Sequence, residues 1–141
     1  MRRSLAFLLL LGSVARAADP DPASLYVLST AGSTTALHAG QPGIFVLSIQ
    51  TVSGAHVSDD APMKLLLSGS GPVQPAKAEL GRADARPVQK GSGPADARFE
   101  VPFSVSGRGQ GAVEAKLTFF VCTETLCARQ QKTLSVPVTV N

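Results

Sequence analysis

Val113-Glu-Ala-Lys-Leu-Thr-Phe-Phe-Val121 and Thr133-Leu-Ser-Val-Pro-Val-Thr-Val140 decide the fold. In the first stretch Val113, Ala115, Leu117, Phe119 and Val121 alternate with Glu114, Lys116, Thr118 and Phe120. In the second, Leu134, Val136, Val138 and Val140 alternate with Thr133, Ser135, Pro137 and Thr139. A period of two sends successive side chains to opposite faces of an extended chain. Each stretch therefore reads as a strand with one buried face and one solvated face. Just upstream, Phe99, Val101, Phe103 and Val105 alternate with Glu100, Pro102 and Ser104, and residues 107–111 read as a turn.

The same reading extends toward the N-terminus. Residues 25–29, 43–51 and 63–68 are expected strands, and Phe45, Leu47 and Ile49 share one face of the second. Gly69-Ser-Gly-Pro72 is a turn. Residues 73–80 form a further expected strand, which Pro75 confines to an edge or a bulge, as Pro137 does for the last strand. Residues 81–97 read as a long surface loop with a short strand near Val88. No apolar pattern of helical period lasts three turns. About seven strands separated by turns predict an all-β, immunoglobulin-like β-sandwich, with a small barrel as the alternative.

The N-terminus has a different composition. Arg2 and Arg3 precede the apolar run 5–11, and Ala15-Arg-Ala17 places small residues where a signal peptidase reads. The run is shorter than the ~20 residues a membrane-spanning helix needs. The expected organisation is a signal peptide at 1–17, an N-terminal segment with a first short strand at 18–40, and a sandwich domain at 41–141. A periplasmic or secreted location follows, with no stable membrane insertion after cleavage. The basic sequence pI of 9.2 is partly a property of the signal. Of 13 basic residues, Arg2, Arg3 and Arg16 leave with it, so the remaining ten balance the 10 acidic ones. That balance gives no basic patch for nucleic acid.

Cys122-Thr-Glu-Thr-Leu-Cys127 joins the two deciding strands. Facing residues of an antiparallel hairpin have Cα atoms ~4.5–5.5 Å apart, within the range a disulfide accepts. By parity both cysteines fall on the solvated face of their strands, unlike an antibody-type bridge through the core. A bridge across so short a loop restricts the unfolded chain little, so its stability contribution sits low in the ~2–4 kcal/mol range. Two readings follow: an exposed pair open to thiol exchange, or a staple that pins the hairpin register.

Several stretches carry a family likeness: Leu117-Thr-Phe-Phe-Val-Cys122, the loop to Cys127, Lys132-Thr-Leu-Ser-Val-Pro137-Val, the strand Phe99-Glu-Val-Pro-Phe-Ser-Val, and Ser53-Gly-Ala-His-Val-Ser-Asp-Asp-Ala-Pro-Met-Lys-Leu. Over roughly residues 40–140 the chain resembles the N-terminal periplasmic domains of the DsbD thiol:disulfide interchange family. The resemblance implies an immunoglobulin-like fold. It makes Cys122 and Cys127 a redox pair that takes electrons from a membrane donor and passes them to other exported thiol proteins. The donor would sit on another polypeptide. This chain differs from the family pattern in a cysteine spacing one residue shorter and in Ala128-Arg-Gln130 where the family has an aromatic-proline run. Residues 81–97 also lack the aromatic with which the family shields its cysteines.

Other chemistry is sparse. Arg129 favours a thiolate at Cys127 and Glu124 opposes it. Phe120 is apolar on the polar phase and beside Cys122, where it packs under a loop, shields the sulfurs or meets a partner. His38 and His56, with Met63, lack metal-ligand spacing, and no serine sits in a nucleophile elbow. The expected catalytic residues are Cys122 and Cys127 alone, with no cofactor, no metal and no hydrolase or transferase site.

Overall fold

The computed structural model describes residues 16–88 and 96–141. Most of the expected signal peptide, and residues 89–95 of the expected loop, lie outside them. Among the described residues eleven strands run in chain order: β1 (Tyr26–Ser29), β2 (Ala36–Leu37), β3 (Gly43–Thr51), β4 (His56–Val57), β5 (Lys64–Ser70), β6 (Val73–Pro75), β7 (Glu79–Gly81), β8 (Arg86–Val88), β9 (Asp96–Val105), β10 (Gly109–Cys122) and β11 (Cys127–Val140). One sheet has the order β1-β3-β9-β6, with β8 also on β9. The other has the order β2-β11-β10-β5-β7, with β4 also on β10. The fold is an all-β, immunoglobulin-like β-sandwich.

The alternating residues fill the space between the sheets. Phe45, Leu47 and Ile49 of β3 and Phe99, Val101 and Phe103 of β9 are buried with Val113, Leu117, Phe119 and Val121 of β10 and Val136 and Val138 of β11. β3 is buried on its second face as well, at Val46 and Ser48. There Ser33 lies across it, its hydroxyl donating to the Val46 carbonyl and accepting from the Val46 N–H. The N-terminal segment 18–40 joins both sheets, through β1 on β3 and β2 on β11.

The structure divides residues 73–80, read as one strand, between the two sheets. Ala76 N–H still bonds Pro102 of β9, while the Ala78 carbonyl already accepts from Leu67 of β5. The apolar phase slips at this point: Val73 and Pro75 are buried at odd positions and Leu80 at an even one. A strand with a single buried face cannot carry that slip. Pro75 sits on an edge strand, as expected. Pro137 is tolerated for a related reason. Thr139 and Asn141 donate toward the β2 side of β11, and at Pro137, of the same parity, no strand among the described residues lies there to receive an N–H. The described part of the expected loop 81–97, residues 81–88 and 96–97, is more ordered than a loop: Gly81 ends β7, a 3-10 turn spans Arg82–Asp84, and β8 pairs with β9 around Val88.

Candidate functional site

The β10–β11 hairpin pairs without a bulge from Gly109↔Val140 to Cys122↔Cys127. The two cysteines are joined by a disulfide, with Cα atoms 4.1 Å apart. The register explains this closeness. Thr123 N–H donates to the Leu126 carbonyl, so the next pair inward belongs to the closely approaching, non-hydrogen-bonded class. The tip itself, Glu124-Thr125, holds no glycine or asparagine, and among the described residues no non-glycine residue has positive φ. It therefore does not use the primed turns usual for two-residue loops. Instead the Thr123 hydroxyl accepts from the N–H groups of Thr125 and Leu126.

Unbroken pairing keeps both cysteines on the outer face, opposite Val121, which is fully buried. Both cysteines lie in one sheet, so the bridge does not link the layers of the sandwich. The two halves of the bridge are unequal, which parity did not reveal. Cys127 is exposed, whereas Cys122 is only 3% exposed. The cause is β4, which lies along the far flank of β10 at this level, with His56 opposite Cys122 and Val57 opposite Val121. His56, Cys122 and Cys127 thus form one row across three strands, and facing residues of an antiparallel pair share a face.

The next row holds Phe120, half-buried, opposite Arg129. Ser58 N–H donates to the Phe120 carbonyl and carries the β4 edge past this row. Phe120 flanks Cys122 along its strand and Cys127 on the diagonal, within reach of a large side chain. Arg129 stands two residues from Cys127 on the same face, and Glu124 is exposed at the tip. Beyond β4, Arg82 donates to the Ser58 carbonyl and pairs with Asp59 at 3.2 Å. Under the hairpin, Tyr26 packs edge-on against Phe119, ring centroids 4.9 Å apart, and its hydroxyl donates to Gln130. Burial, and then the Asp21 carboxylate, push that hydroxyl above its ordinary pKa.

His38 is not part of the site. It follows β2, which pairs with the far end of β11 at Val140. At ~3.3 Å per residue the two histidines lie on the order of 40 Å apart along the ladder. Met63 is buried in the core. Among the described residues no group of three His, Cys, Asp or Glu side chains could hold a metal, and no helix is long and apolar enough to cross a membrane. A separate groove of about 510 Å³ lies on the other sheet, where Val27, Val52 and Val88 are exposed beside Asp96 and Arg98.

The chain matches no protein-family model and no curated protein. Among solved structures it aligns with AggA, the major subunit of aggregative adherence fimbriae type I from Escherichia coli. The alignment covers 82% of this chain and 94% of that one, at 19% identity and a TM-score of 0.38. A likeness at that level carries no functional argument.

Proposed function

We propose that this chain is an exported thiol–disulfide exchange module that relays electrons through Cys122 and Cys127. One observation carries the reading: the bridge ends a hairpin with Cys127 exposed and Cys122 covered. Exchange needs one sulfur open to an incoming thiolate and a second that leaves and later returns. An exposed Cys127 suits the first task and a sheltered Cys122 the second. The likeness of the hairpin and its flanking strands to the DsbD N-terminal domains supports the same roles, with a membrane electron donor and exported thiol proteins as partners. The charge-balanced mature surface fits protein partners rather than nucleic acid. The signal-like N-terminus and the formed disulfide support an oxidising compartment outside the cytoplasm.

A second reading has its own support. The burial of Cys122 and the uninterrupted ladder up to it suit a staple that holds the hairpin in register in a structural or binding β-sandwich. The two readings differ in reduction potential. Equilibration with glutathione or dithiothreitol buffers and trapping of free thiols is expected to give roughly −120 to −270 mV, the range of exchange proteins. A value below about −300 mV sinks the exchange reading and leaves the staple.

A further inference from the structure

We infer that His56 is the cationic partner of the Cys122 sulfur during exchange, an inference that rests on the exchange reading above. The ladder sets His56 directly opposite Cys122 on the flank away from Cys127, on the same outer face. His56 is half-buried and Cys122 nearly closed off, so solvent contributes little to any charge on that sulfur.

The electron balance shows where charge appears. A thiolate of an incoming dithiol attacks the exposed Cys127 Sγ. A bond forms between the incoming sulfur and Cys127, the Cys122–Cys127 bond breaks, and its electron pair leaves on Cys122 as a thiolate. The second thiol of the donor then attacks the donor sulfur of the mixed disulfide and frees Cys127. The donor ends as a disulfide, and the domain has gained two electrons and two protons. In the first step the leaving sulfur is the sheltered one, and a leaving thiol that ionises more easily leaves faster. An imidazolium beside it stabilises the thiolate or protonates it, and histidine changes charge near neutral pH.

Other charges near this row differ in kind or position. On β11, Arg129 lies one row away, opposite Phe120. Glu124 is at the exposed tip. Asp59 and Asp60 follow β4, and Asp59 is paired with Arg82. On the inner side of β4, where Val57 points, Arg86 and Asp96 are held by Glu100 and Thr51. His56 is thus the imidazole of the cysteine row, set directly opposite Cys122.

The test is the rate at which dithiothreitol reduces the oxidised protein from pH 5.5 to 9, corrected for the thiolate fraction of the reagent. It compares the unmodified chain, His56→Gln and His56→Lys. The unmodified chain is expected to react roughly tenfold faster than His56→Gln below pH 6 and to converge with it above pH 8. His56→Lys should stay fast across the whole range. If His56→Gln does not fold, the test is carried by His56→Lys outpacing the unmodified chain above pH 8. Equal corrected rates at every pH overturn the role of His56 and leave the exchange reading standing. A bond that resists reduction in all three proteins overturns both.

Discussion

Reducing the Cys122–Cys127 bond should cost the fold roughly 2 kcal/mol, and this figure bears directly on function. The cysteines are five residues apart in sequence. For a closed loop of about six residues, the chain-entropy relation gives about 7 cal/mol/K, or ~2 kcal/mol at 25 °C. Both residues stay in the ladder when the bond opens, because Thr123, Leu126 and the hairpin below hold the register without it. The same free energy, read through the thermodynamic cycle, is the amount by which folding favours the oxidised pair. It lowers the reduction potential only about 45 mV below that of the unfolded chain, at 30 mV per 1.4 kcal/mol. The fold alone therefore does not push the pair into the range of structural disulfides. Urea denaturation with and without a phosphine reductant measures the loss, and a thermal scan should show a fall of about 7 °C for a domain of this size. A loss above about 4 kcal/mol would refute the reasoning, since the bridge would then hold native structure that the ladder does not hold by itself.

Three further perturbations follow from the packing and the charges. Phe119→Ala removes a ring that is fully buried and in edge contact with Tyr26, and should cost about 3–5 kcal/mol in urea denaturation; a loss under 1 kcal/mol would contradict its place in the core. Asp96→Ala strips the buried Thr51 N–H and hydroxyl of their common acceptor and should cost roughly 1–3 kcal/mol, with Thr51→Val/Asp96→Ala recovering part of it because the orphaned hydroxyl is gone. The Glu100 carboxyl is held below its ordinary pKa, first by the hydrogen bond from Arg98 and then by the charges of Arg86 and Arg98. Its contribution is therefore full above the unfolded glutamate value of about 4.3 and is lost as pH falls through the lower folded value. Glu100→Gln should flatten the stability–pH curve in that acidic window and lower it by a constant amount near neutrality, where the contribution is full; urea denaturation across pH checks both.

The strands that frame the site were legible because their signal is local. Phe119 and Val121 point inward for the same reason that Leu117 does, and the position of Cys122 follows from counting. The phase slip between Pro75 and Leu80 was also present in the sequence, but turn and strand composition masked it. β4 was not legible. Two residues are too few to show a period, and Ala55-His-Val57 reads equally well as the loop after Gly54. Its strand character comes from pairing with β10, more than sixty residues away in sequence. For that reason the sequence alone leaves His56 in a loop, when its cross-strand neighbour is Cys122.

By itself the sequence determined that this chain is all-β, which side chains form its core, and that Cys122 and Cys127 sit together on the outer face of one hairpin. Those properties follow from a two-residue period and a short turn, both set by neighbours along the chain. Only the tertiary structure decided that the two sulfurs differ and that a histidine stands beside one of them. Exposure and cross-strand neighbours depend on which distant segment docks on the open flank of β10. That choice is made by the burial of Val57 against Val121 in the shared core rather than by the cysteines themselves.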